Sequence, residues 1–158
     1  ALISTPLRVR EYLASKLLTL TALAVVISLV VTVAGYGLDF NLMLLLPGVI
    51  LASLISALVG FVTVAPFESI SSYLVPSSLV LTLLGLPVFH FLDLWQSPIF
   101  YLLPTQGALL LLGGAFVTAS LSLWQIAYAL IYGFLWIAGL SLLAHRAFDR
   151  YIVARKGG

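Results

Sequence analysis

The sequence predicts an all-α, polytopic integral membrane protein, and three observations carry that prediction. Of 158 residues, 63% are hydrophobic and only 8% are charged, against roughly 45–50% and about 25% in ordinary soluble domains; the mean hydropathy is +1.22. Apolar runs recur that reach the roughly 20 residues a helix needs to cross the hydrocarbon of a bilayer. All seven Lys and Arg lie toward the two ends of the chain: Arg8, Arg10 and Lys16 in front, Arg146, Arg150, Arg155 and Lys156 behind. Seven basic and five acidic side chains could not clothe the surface of a water-soluble domain of this size, because ionic side chains are what such a surface is largely made of.

The whole of 1–158 reads as a single transmembrane domain. It opens on Ala1 rather than Met, in the manner of a partial chain, and shows none of the basic, apolar and small-residue zones of a signal peptide. Residues 5–16 form a helix: Thr5 is a capping residue and Pro6 suits the first helical position. On its wheel Val9, Tyr12, Leu13 and Leu17 fall to one side and Arg8, Glu11 and Ser15 to another, which describes an amphipathic helix lying at the cytoplasmic surface and feeding the first span. Two readings of it stand side by side. As an orientation anchor it needs only Arg8, Arg10 and Lys16; as a docking surface it would use its whole polar face.

The first span covers 17–37, and Gly35-Tyr36-Gly37 with Asp39 and Asn41 makes its turn. The second covers 42–65, with Pro47 early enough for its missing N–H to be tolerated. A polar interval, 66–73, holds Glu68 and Ser69. The third span, 76–96, contains Pro87, which removes a backbone donor and should kink or break the helix. The last span is 121–144, followed by a cytoplasmic tail, 145–158.

Residues 98–119 are apolar enough to cross, yet Pro104-Thr105-Gln106-Gly107 and Gly113-Gly114 interrupt them. The charges arbitrate. Basic residues near span ends favour the cytoplasm, so both ends are expected there and the number of crossings is even. Four crossings follow, with 98–119 a re-entrant pair of short helical pieces dipping into the outer leaflet; backbone of that kind is tolerated only where protein or water satisfies it. The alternative is a broken fifth span and a failed charge rule.

Helices in lipid approach closely through small residues. Ala24, Ser28 and Thr32 form one such line and Ala52, Ser56 and Gly60 another, both read as packing stripes, with a hydroxyl-lined substrate path as the competing use. Trp95, Phe100, Tyr101, Trp124 and Tyr128 gather toward the outer surface, where amphipathic rings are at home.

Much chemistry is excluded. There are no cysteines, hence no disulfide, thiolate metal site or cysteine nucleophile. No G-x-x-x-x-G-K-[ST], H-E-x-x-H or G-x-S-x-G pattern occurs, so no catalytic residues, cofactor or metal are assigned. The net charge of +2 gives no reason to expect nucleic acid. His90 and Asp93, three apart, could share a hydrogen bond or two metal positions, but a metal needs further ligands. Carboxylates buried in a span, which a proton-driven carrier uses, are missing too.

"TPLRVREYLASKLL" resembles the segment before the third span in membrane subunits of ABC exporters of the ABC-2 permease type, which show Thr-Pro-Leu, then Tyr-Leu and a Lys ahead of a long span. "FESISSYLVPSSLVLTLLGLPVF" and "IFYLLPTQGALLLL" are similar to that family's fourth-to-fifth span region and its outer Leu-Pro-Thr segment, and drug-export permeases for fluoroquinolones are similar there as well. The resemblance implies a six-span subunit working as a homodimer or with a related permease subunit, of which this chain holds the last four spans. It implies no ATPase activity of its own, and a separate ABC-type ATPase subunit as partner in the plasma or inner membrane. Thr5, Pro6, Arg8, Glu11 and Tyr12 would fall in the helix that contacts that ATPase, with Glu68 and Ser69 as a second contact. The function so implied is outward movement of a lipophilic substrate, drug or lipid; a non-transporting scaffold or channel and an intramembrane enzyme are the alternatives.

Overall fold

The first helix, α1 (Pro6–Tyr36), takes in both the charged opening stretch and the apolar run behind it without a break. Where the sequence reads as a surface helix followed by a span, one continuous helix covers both. The structure, a computed structural model, describes residues 6–67, 69–116, 121–148 and 150; Thr5, Glu68 and the tail from residue 151 lie outside them. All regular structure among the described residues is helical, and four stretches are long and apolar enough to cross a membrane: Glu11–Tyr36, Leu42–Val64, Ser71–Phe91 and Leu123–Ala147.

α1 ends at Gly37, whose φ of +72° is a left-handed conformation that suits glycine at a helix C-terminus; its N–H reaches Val33 O at 3.0 Å. The chain reverses over four residues, and Asn41 caps α2 (Leu42–Val64) by accepting the Met43 N–H at 3.0 Å. α2 buries Leu45, Gly48, Leu51, Ile55 and Leu58, a spacing of three and four that makes one continuous face. Of the Ala52-Ser56-Gly60 line expected to pack, Ala52 does, against the cluster of Leu51, Ala108, Leu111 and Ala129; the other two do not. Ser56 is exposed, and a Cβ added at Gly60 would meet nothing within 4 Å. The α1 line does pack: Ala24 joins the core beside Leu45 and Val49, Thr32 is buried, and Ser53 Oγ donates to Thr21 Oγ1 at 3.2 Å.

α3 (Ile70–Gly85) starts six residues ahead of Pro76, where the sequence put the third span. Ser69 caps it through its Oγ, which accepts the Ser72 N–H at 3.3 Å. Its hydroxyls turn inward on their own helix: Ser72, Ser77, Ser78 and Thr82 donate to the carbonyls of Ser69, Leu74, Val75 and Ser78. Hydroxyls bonded in this way satisfy their polarity within the helix itself, without a partner from another element. Pro87 breaks the helix as expected, and α4 (Pro87–Phe91) continues beyond it. At the break Leu86 N–H falls back on Leu83 O at 3.3 Å, while Leu84 O accepts Thr105 Oγ1–H at 2.7 Å.

After a turn at Asp93, in the left-handed region at φ 55°, come a 3₁₀ turn (Pro98–Leu102) and α5 (Pro104–Phe116). α6 (Leu123–Phe148) opens on Ser122, whose N–H and hydroxyl both donate to Gln125 Oε1, at 3.0 and 2.9 Å, a side chain three residues on returning to the cap. α2, α5 and α6 form the centre. Leu51 packs with Ala108, Leu111 and Ala129, and Ile55 and Leu58 with Leu140 and Ala144. α1 lies on one flank of α2, and α3 touches the centre lightly.

Candidate functional site

Two places hold the polar and aromatic side chains that could do something other than face lipid. The first is the end of the bundle where α1 begins. α1 and α2 are antiparallel, so the start of α1, the end of α2, the start of α3 and the end of α6 meet at that end; Leu17 of α1 packs with Leu140 and Ala144 of α6. Glu11 and Tyr12 are exposed there, and Lys16 Nζ lies 5.9 Å from the Tyr12 ring centre, a cation–π contact between a positive charge and an exposed ring. Pro6 and Arg8 are in the first turn of α1. Ser69 is exposed at the start of α3, its Oγ 2.9 Å from Ser72 Oγ. Phe67 and Tyr73 meet at 5.7 Å and Tyr73 OH reaches Thr63 Oγ1 at 3.2 Å, fixing the α2–α3 turn. Thr5 and Glu68, the other residues singled out from the sequence, lie outside the described residues.

The second place is built around α5. Its 13 residues measure roughly 20 Å at 1.5 Å each, short of the roughly 30 Å of hydrocarbon. Its C-terminal end lies against the α1–α2 turn, since Asn41 N–H donates to Ala115 O at 2.9 Å. Its N-terminal end lies farther in. Tyr132 OH donates to Leu102 O at 2.7 Å and Tyr128 OH to Tyr101 O, so α6 reaches over and ties down the 3₁₀ turn. Glycines permit the close fit. A Cβ on Gly107 would stand 3.0 Å from Ala129 Cα and 3.2 Å from Ala129 O; one on Gly48 would stand 3.0 Å from Leu112. Gln106, 1% exposed, is buried at this inner end with no partner for its Oε1.

Beside α5 runs an aromatic row. Trp124, Tyr128, Tyr132 and Trp136 recur every fourth residue on one face of α6, with successive ring centres 6.3, 5.2 and 6.2 Å apart. Tyr101 stacks on Trp124 at 6.0 Å and meets Tyr128 at 5.3 Å. Of the rings grouped from the sequence, Trp95 meets Phe100, and Tyr101 meets Trp124 and Tyr128; Tyr132 and Trp136 were missed. The four-residue spacing in "WQIAYALIYGFLW" was the signal that could have found them.

His90 and Asp93 do not pair. Asp93 Oδ1 accepts from Gln96 Nε2 at 2.7 Å, while His90 sits among Phe100 and Tyr101 with its Nδ1 buried and unpartnered. A cleft of about 200 Å³ opens beside it, walled by Phe91, Leu109, Leu110, Gly113, Gly114 and Leu121. Among the described residues no three of His, Cys, Asp and Glu come together as a metal would need.

The model of the Fluoroquinolones export permease protein family matches residues 1–156. Two relatives, each named a fluoroquinolones export permease protein, come from Mycobacterium tuberculosis strains CDC 1551 / Oshkosh and ATCC 25618 / H37Rv. Both are 43% identical over 158 residues, covering 99% of this chain and 67% of their own length. No solved structure matches the chain.

Proposed function

Because the chain belongs to the fluoroquinolones export permease family, we propose that it is a membrane-spanning permease subunit of an ATP-driven ABC exporter. It moves a lipophilic substrate outward, a drug or a lipid, and draws its energy from a separate ATPase subunit. The observation that carries this reading is 43% identity, along 99% of the chain, to relatives named as fluoroquinolone export permeases.

The proposed setting is the cell membrane with both termini in the cytoplasm. In support, every Lys and Arg of the sequence belongs to the stretches around the start of α1 and the end of α6, and basic residues favour the cytoplasmic side. Residues 98–119 are then a re-entrant element in the outer leaflet. The shortness of α5 favours this, as does the position of Ala115 and Phe91 toward the end that holds the α1–α2 turn.

Thr5, Pro6, Arg8, Glu11 and Tyr12 form the proposed ATPase contact, with Glu68 and Ser69 as a second, smaller one. ATP-driven closure of the ATPase presses on this end, and charge-assisted contacts there bias two arrangements of the membrane helices. A cavity between two permease subunits, identical or related, is exposed first to one side and then to the other. The apolar faces of α1 and α3 are free for lipid or for that second subunit.

Inverted membrane vesicles containing the full-length permease and its ATPase provide the test. A fluoroquinolone should accumulate inside them only with hydrolysable ATP. Flux or conductance without ATP would favour the channel reading and overturn this one. In the same membranes, Arg8→Glu combined with Glu11→Lys should lower the ATPase recovered with the permease at least fivefold; unchanged recovery with unchanged transport refutes the docking role of that helix.

A further inference from the structure

We propose that Trp124, Tyr128, Tyr132 and Trp136 form a stacking track along α6 for a planar aromatic solute, leading from the outer membrane surface to the middle of the bilayer; this rests on the export reading above.

Position separates the row from an ordinary interfacial belt. Trp and Tyr collect at headgroup level because one end of the ring system is apolar and the other polar. That account serves Trp124 and Tyr128, within the first two turns of α6. It does not serve Tyr132 or Trp136, which at 1.5 Å per residue stand roughly 14 and 20 Å beyond Leu123, at hydrocarbon depth. Trp136 is close to the midpoint of a helix that runs from Leu123 to Phe148. Leucine would fill that place without a polar atom to satisfy.

Chemistry points the same way. The hydroxyls of Tyr128 and Tyr132 already donate to Tyr101 O and Leu102 O, so these rings are held in place before any ligand arrives, and such preorganisation lowers the entropic cost of binding. The two phenols stack on each other at 5.2 Å, so what these half-buried rings still offer is the part of each that no neighbour covers. Between Trp124 and Trp136, α6 carries no charged residue. Ring centres 5.2 to 6.3 Å apart fall inside the range at which aromatic pairs attract, so a flat ring moving along the face meets the next rung before it leaves the last. Tyr132 and Trp136 are half-buried, with part of each ring still open beside α6. The occupant is a planar aromatic molecule because the face offers stacking and nothing else that is specific. Fluoroquinolones, in the names of the relatives, have that shape.

The experiment measures binding and transport together, on the full-length permease with its ATPase in lipid nanodiscs and vesicles. Norfloxacin, itself fluorescent, reports binding by anisotropy. Trp136→Leu and Tyr132→Leu should each raise its Kd at least tenfold, and Trp136→Phe should restore binding to within threefold of the parent. Tyr132→Phe keeps the ring without its tether and should change Kd less than Tyr132→Leu. Parent-like Kd in both leucine variants, with the parent still exporting norfloxacin, overturns the track and leaves the export reading intact. Leucine variants that lose a cross-linkable dimer while binding normally overturn it too, assigning the row to a second copy. A parent that neither binds nor exports norfloxacin sinks the export reading, and the track falls with it. Trp136→Phe guards against a fold defect: leucine and phenylalanine variants that bind equally poorly also refute a role for the aromatic ring.

Discussion

Consider α5 beside α1. α5 has 13 residues and buries Pro104, Gln106, Gly107, Ala108, Leu111 and Ala115. α1 has 31, yet only 6% of its most apolar stretch is buried, against 39% for α2. Leu18, Leu23, Val26, Ile27, Val30 and Val31 are each more than half exposed. Lipid explains how both can belong to one protein. A long helix satisfies its own backbone and can sit bare in hydrocarbon, whereas a short one with an irregular entry must be wrapped by protein. Burial therefore marks the places where backbone geometry needs support, and apolarity alone does not locate the core.

Substitutions in the two regions should separate accordingly. Leu111→Ala leaves a hole between α2 and α6, and by the cost of large-to-small changes in packed interiors it should lower stability by about 3 kcal/mol, read as thermal unfolding in detergent. Gly107→Val drives a side chain into the backbone of Ala129, which cannot rotate aside as a side-chain tip could; about 2 kcal/mol is expected from overpacking. Loss of the α6 tie in Tyr132→Phe should cost about 1 kcal/mol. Gln106→Leu removes a buried acceptor with no partner and should stabilise by up to about 1 kcal/mol; destabilisation would reveal a partner gained in another conformation. Val30→Ala on the bare face of α1 should stay within about 0.5 kcal/mol. If it matched Leu111→Ala instead, that face would be an interface with another subunit.

The same contrast explains what could be read from the chain in advance. Four spans follow from hydropathy and charge because they depend on length and composition. Pro87 announced its break because a missing N–H acts locally. The start of α3 was hidden, since "FESISSY" reads as polar while in the fold Ser69 caps the helix and Ser72 bonds back to the Ser69 carbonyl. The α2 packing face was met at Ala52 and misjudged beyond it. Small-residue spacing singled out Gly60, whereas Gly48 is the glycine that meets α5; two candidates with equal local chemistry are told apart only by a partner far along the chain. At the charged end, the exposure of Glu11, Tyr12 and Ser69 agrees with a docking role without requiring it, because nothing in one chain records its contact with another. The row on α6 was legible as spacing, but its tethers to Tyr101 and Leu102 depend on a turn some thirty residues away.

The unbroken course of α1 has a mechanical corollary. A helix of 31 residues is about 46 Å long, so it overhangs a hydrocarbon layer of roughly 30 Å by several turns. Pivoted at the Gly37 bend, a rocking of ten degrees would sweep its far tip through roughly 8 Å, and a force applied near Glu11 would act there with the leverage of a long oar on a short thole.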